Sequence, residues 1–96
     1  MNTTTTTTAE RVAAGAALLD NACPDWRTWV NVDWLDMSRR ETDIIAQVYW
    51  QAPGGYQEGL ADLGIDGEDI GINGFDLCGG GSYADLTAAW LQEVGK

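Results

Sequence analysis

Carboxylates are the most abundant groups in this sequence that could do chemistry, with 15 aspartates and glutamates among 96 residues. Close carboxylates can act as general acid and base or can bind a cation. One stretch partly follows the pattern of a calcium-binding loop, with Asp62, Asp66 and Gly67 at its first, fifth and sixth positions. Gly64 and Asn73 occupy positions three and twelve, where the pattern calls for an acid or amide and for a bidentate glutamate. The sequence therefore predicts no dedicated metal site.

Covalent and acid–base catalysis have few candidate residues. The sequence contains no histidine, so neither a Ser–His nor a Cys–His pair can form. Its single lysine, Lys96, is the last residue and a poor candidate for a Schiff base. Fifteen acids bring some pairs together by chance on a solvated surface. We expect a protein that is not an enzyme and that has no cofactor.

The glycine-rich stretch at residues 79–82 precedes a predicted helix and could cradle a phosphate through backbone N–H groups. No lysine or arginine follows it to hold the anion, and Asp76 and Asp85 on either side would repel one. We interpret it as a connector whose serine caps the next helix. Cys23 and Cys78 lack metal-type spacing, which favours two small buried residues over a disulfide between them.

Five tryptophans are the unusual feature of the composition. A domain of this size can hardly bury all five. Trp90 fits a core-facing helix stripe, whereas Trp50 lies near a predicted helix end and off its apolar stripe. The five could fill the core and its rim, or one or two could form an exposed patch for a partner. The aromatic residues that we predict to contact a partner are Trp26, Trp29 and Trp34.

Negative charge is concentrated in the second half of the chain. The net charge is −10, and residues 41–95 hold ten acids without a base. Such a chain repels phosphate backbones and anionic lipids, so we expect no direct binding to nucleic acid or to a membrane. The acids could keep the protein soluble, attract a basic protein, or imitate DNA in the groove of a DNA-binding protein. The acidic residues assigned to such a contact are Asp62, Asp66, Glu68, Asp69 and Asp76.

Capping patterns and apolar spacing locate the helices. Thr7 with Glu10 forms a capping box before a helix over residues 9–21. Ser38 with Glu41 forms a second, before a helix over residues 39–51. A short helix should run from Tyr56 to Leu63 and end at Gly64, and Ser82 should cap a last helix that ends at Val94. Residues 24–30 could add one or two helical turns.

These elements predict a mostly α fold, a small bundle of four to five helices with a glycine-rich irregular segment. A short two-stranded element around Val32 and residues 70–72 is an additional possibility. Residues 1–8 should form a flexible polar tail, and residues 9–96 a single helical domain.

Several short motifs between residues 10 and 92 resemble small acidic proteins of unknown function from actinobacteria and their phages. They are ERVAAGAALLD at 10–20, WR at 26–27, VDWLDM at 32–37, QVY at 47–49, YxxGLxxLG at 56–64 and GF at 74–75. That family has no assigned activity, so the resemblance implies no catalytic residues. It implies a phage accessory protein in the cytoplasm of a bacterial host.

The function that we expect is therefore a non-enzymatic acidic module that binds a host or phage protein. The alternatives are a DNA mimic that inhibits a nucleic-acid-binding protein and a structural component that assembles with itself.

Overall fold

A computed structural model describes residues 7–77 and 81–95 of the chain. Within these ranges the protein forms five α-helices and one 3₁₀-helix, which confirms the predicted mostly helical fold. The possible two-stranded element is absent there, because Val32 lies in a turn and residues 70–72 are helical. The elements in chain order are α1 (Thr8–Ala22), the 3₁₀-helix (Trp26–Trp29), α2 (Ile44–Val48), α3 (Gly55–Leu63), α4 (Glu68–Ile72) and α5 (Tyr83–Val94).

Three helix ends lie where the sequence predicts them, because local groups satisfy the backbone there. The Thr7 hydroxyl accepts from the Glu10 amide at 3.1 Å, and the Glu10 carboxylate accepts from the Thr7 amide at 2.9 Å. Gly64 closes α3 in the left-handed conformation, with φ of 73°. The Ser82 hydroxyl caps α5 by accepting from the Asp85 amide at 3.1 Å.

The predicted helix over residues 39–51 is wrong in extent, since only Ile44–Val48 is helical. The Ser38 hydroxyl does not cap a helix; it donates to the Asp36 carboxylate at 2.6 Å. Asp43 is the actual cap, accepting from the Ala46 amide at 2.8 Å. The chain between these acids folds into turns, so the real helix starts later than the capping pattern suggests.

Trp90 stands at the centre of the core, where α1 packs against α5. Its ring is fully buried and stacks on Phe75, with ring centroids 5.4 Å apart. Trp26 meets the same ring edge-on at 5.8 Å. The indole N–H of Trp90 donates to the Gly74 carbonyl at 2.6 Å, so its one polar atom is satisfied.

The turn that carries Gly74 lies directly on α1. A Cβ on Gly15 would overlap the carbonyl oxygen of Asn73 and approach the rings of Phe75 and Trp90 at 3.0–3.1 Å. Gly74 has φ of 77°, and a Cβ there would lie 2.7 Å from the Cα of Val12. Both glycines are needed for this close contact.

Gly15→Ala should lower the free energy of unfolding by about 1–3 kcal/mol, because the added methyl forces the turn away from α1. Alanine is the better helix former, so a net loss identifies the contact rather than helix propensity. Urea denaturation measures the change. Ala17→Gly on the exposed face of α1 is the control for helix propensity, and it should lower the free energy of unfolding by about 1 kcal/mol. Stabilisation by Gly15→Ala would contradict the packing described here.

Candidate functional site

Three tryptophans surround one open groove on the surface of the protein. Trp29, Trp34 and Trp50 are 44%, 68% and 62% exposed, respectively. The groove has a volume of about 280 Å³, and most of its lining is apolar. We call it the tryptophan groove; its lining residues are Trp29, Asn31, Trp34, Glu41, Ala46, Gln47 and Trp50.

Local turns present the tryptophans to solvent. Trp29 is the last residue of the 3₁₀-helix, and Trp50 follows the end of α2. Trp34 ends a turn in which its amide donates to the Asn31 carbonyl at 3.1 Å. The Asn31 side chain accepts from the Asp33 amide at 3.0 Å, which is an Asx turn. This backbone geometry carries Trp34 outward although its side chain is apolar.

Gln47 joins the turn to α2. Its side-chain oxygen accepts from the Asn31 amide at 2.5 Å. Its side-chain nitrogen donates to the Asn31 carbonyl at 3.3 Å and to the Thr42 carbonyl at 3.0 Å. The residue is buried, so these bonds replace water that it has lost. One amide therefore holds both ends of the segment that contributes Trp34 and Glu41 to the groove.

Gln47→Leu should lower the free energy of unfolding by about 1–3 kcal/mol, because it leaves the Asn31 amide without its acceptor and removes one of the two donors to each of the Asn31 and Thr42 carbonyls. Chemical denaturation provides the measurement. Gln57→Leu, the same substitution at an exposed position of α3, should stay within about 0.5 kcal/mol. Equal effects of the two substitutions would show that other groups hold the segment.

The prediction that Trp26 contacts a partner is wrong, because its side chain is fully buried. Its indole N–H donates to the Asp20 carboxylate at 2.8 Å. That bond, followed by the one from Arg27, holds the pKa of Asp20 below its usual range. Trp26 thus anchors the 3₁₀-helix in the core, and Trp29 at its other end remains exposed.

Sequence reasoning missed Trp50 and Glu41 as lining residues of the groove. Both were expected inside a longer helix, which does not form around them. The available signal was the position of Trp50 off the apolar stripe of Ile44 and Val48. A tryptophan that leaves the buried face of a helix has to be accommodated elsewhere, here at the surface.

The five predicted acidic residues have different environments. Asp62 on α3 is exposed and accepts from the Tyr49 hydroxyl at 2.7 Å. Burial, followed by this bond to Asp62, raises the pKa of Tyr49. Asp66, Glu68 and Asp69 are exposed around the start of α4.

Asp76 is half-buried, and it accepts from the Tyr83 hydroxyl at 2.7 Å and from the Leu77 amide at 2.8 Å. The bond to Asp76 raises the pKa of Tyr83. Glu68 and Asp76 line one cleft, whereas Asp66 lines another. In the part of the chain that the structure describes, no group of three acids or cysteines is arranged to hold a metal ion.

The two cysteines and the glycine-rich stretch lie only partly within the described residues. Cys23 is a free, half-buried thiol. Cys78 and the glycines at 79 and 80 lie outside the described residues. The interpretations of the second cysteine and of the glycine-rich connector therefore stay predictions.

Asp43 is a buried carboxyl at the start of α2, next to the groove residues Ala46 and Gln47. Burial raises its pKa to about 7, against the lowering effects of the Ala46 amide and of the Arg40 charge. The negative charge of Asp76 raises it further. Because this pKa is higher in the folded than in the unfolded protein, the folded state binds an extra proton between the two values.

The part of the free energy of unfolding that depends on Asp43 is therefore largest at low pH, where the carboxyl is protonated. It is lost as the pH rises toward and above 7. Asp43→Asn keeps an oxygen for the helix cap and removes the charge. The variant should gain about 2–3 kcal/mol over the natural chain when the pH goes from about 5 to about 8. Denaturation curves of both proteins across this range check it. A constant difference between the two proteins would show that Asp43 does not titrate there.

Comparison with protein-family models, curated proteins and solved structures found no match to this chain. Among the helices of residues 7–77 and 81–95, none has both the length and the apolar character needed to cross a membrane.

Proposed function

We propose that this protein is a non-enzymatic protein-binding module whose tryptophan groove receives a basic segment of a partner protein. The observation that carries the proposal is the grouping of three exposed indoles around one groove. Isolated exposed apolar side chains are ordinary on protein surfaces, but a contiguous apolar patch marks interaction sites. Tryptophan is also the residue type most enriched among interface positions that dominate binding energy.

The groove is held in shape before any partner arrives. Gln47 fixes the segment that carries Trp34, and buried Trp26 fixes the 3₁₀-helix that ends at Trp29. A preformed site loses less conformational entropy on binding than a flexible one does. This supports a dedicated binding surface rather than a chance cluster of aromatic residues.

Charge favours a basic partner. The protein has a net charge of −10, and the lining of the groove includes the carboxylate Glu41. An acidic protein attracts basic segments over long range and repels copies of itself. The motif resemblance supports a host or phage protein as that partner and a bacterial cytoplasm as the location.

A DNA mimic is the second candidate. It is favoured by the exposed acids Asp62, Asp66, Glu68 and Asp69 in a half of the chain that has no base before its last residue. In that case the partner would be a nucleic-acid-binding protein, and the acids rather than the tryptophans would dominate its affinity.

Affinity capture from host lysate treated with nuclease tests the proposal with matched variants. Trp34→Ala should lose the partner, whereas Leu91→Ala, at an exposed apolar position of α5, should retain it. The expected loss is at least about thirtyfold in affinity, as for an interface residue worth about 2 kcal/mol. Circular dichroism confirms that both variants fold.

The mimic makes the opposite prediction. A protein retained by Trp34→Ala but lost by a triple Asp66→Asn, Glu68→Gln, Asp69→Asn variant, and displaced by DNA, would favour mimicry. If neither variant changes capture and the purified chain sediments as an oligomer, the proposal is overturned in favour of self-assembly.

A further inference from the structure

The protein already binds one guanidinium group in a site made of an indole face and carboxylates. The guanidinium of Arg27 lies over the ring of Trp26, 4.3 Å from its centroid. It also bonds to the Asp20 carboxylate at 2.8 Å and lies 3.8 Å from a carboxylate oxygen of Glu93. Its Nε donates to the Glu93 carbonyl at 3.1 Å. Ring stacking and ion pairing act together on one cation.

Arg40, which is exposed, repeats the stacking on an aromatic ring. The guanidinium of Arg40 lies over the ring of Tyr56, 4.5 Å from its centroid. The Asp43 carboxyl is close enough for the charge of Arg40 to lower its pKa. In both places an arginine guanidinium lies over an aromatic ring, and at Arg27 two carboxylates also contact it.

The tryptophan groove contains the same components on the surface. Its lining supplies the indoles of Trp29, Trp34 and Trp50 and the carboxylate of Glu41. The described residues that line it include no lysine or arginine. The groove therefore offers ring faces and a negative charge to a cation from another molecule.

We propose that the tryptophan groove binds an arginine side chain of the partner, with its guanidinium stacked on an indole and paired with Glu41. This inference rests on the proposed protein-binding function and names the group that the groove recognises. Arginine suits the lining better than lysine does, because its planar guanidinium is weakly hydrated and can stack and form two parallel hydrogen bonds at once. A second copy of this chain is disfavoured as the source by the charge of −10.

The five indole N–H signals in a nitrogen–proton NMR spectrum provide a direct readout. Titration with N-acetyl-arginine amide should shift the signals of Trp29, Trp34 and Trp50. The signals of Trp26 and Trp90 should stay in place, since both rings are buried and bonded to internal acceptors. N-acetyl-citrulline amide, which has a similar shape and no charge, should shift none of the five.

Matched variants test the two components of the site separately. Glu41→Gln and Trp34→Ala should each weaken binding of N-acetyl-arginine amide by about three- to fivefold. Glu58→Gln, the same charge change at an exposed position of α3 that does not line the groove, should leave it within about 1.5-fold, the effect of charge at a distance. Equal weakening by both glutamate variants would overturn the ion pair with Glu41.

Two further outcomes would also overturn the inference. N-acetyl-trimethyllysine amide binding more tightly than the arginine probe would identify the groove as a site for quaternary ammonium groups. Unchanged indole signals with the arginine probe, together with capture of a partner that still depends on Trp34, would exclude arginine and leave the proposed function standing. If the Trp34→Ala variant captures the partner as well as the natural chain does, the proposed function itself is contradicted.

Discussion

The close contact between α1 and the turn at Gly74 is the constraint on which the rest of the structure depends. Because Gly15 has no side chain, the turn lies directly on the helix and its carbonyl can receive the indole N–H of Trp90. That bond satisfies the one polar side-chain atom of Trp90, one of the two tryptophans in the core. Phe75 stacks on the same ring, and Trp26 meets it edge-on. A single methyl group on Gly15 would overlap the Asn73 carbonyl and crowd the rings of Phe75 and Trp90.

Short backbone segments connect the hydrophobic core to the tryptophan groove at the surface. Trp26 and Trp29 are the first and last residues of the same four-residue 3₁₀-helix; Trp26 is buried in the core, whereas Trp29 is partly exposed. Gln47 on α2 fixes the turn that carries Trp34 by bonding to the backbone of Asn31. The indoles therefore stand on backbone that internal hydrogen bonds and packing have already fixed. Such support is what a binding surface needs to act without rearrangement.

Sequence reasoning succeeded where local chemistry decides the outcome. The helix start at Thr7 and the helix stop at Gly64 depend on groups within a few residues, so their patterns are readable. It failed between residues 39 and 43, because the Ser38 amide and hydroxyl donate to Asp36 within a turn and the helix is capped by Asp43 instead. It also failed at Trp26, because burial there depends on Trp90, which lies 64 positions along the chain. The groove was only partly predictable for the same reason, since Trp50 joins it through tertiary packing.

The pairing of α1 with α5 has a consequence for the synthesis of the protein. About 60 residues separate the end of α1 from the start of α5. At translation rates of about 5–20 residues per second, α1 exists for roughly 3–12 s before its partner is made. During that interval Val12, Ala16 and Leu19 have no α5 to cover them. The nascent chain therefore completes this packing only after α5 has been made, and a ribosome that stalls before Trp90 leaves an apolar helix face exposed to chaperones and proteases.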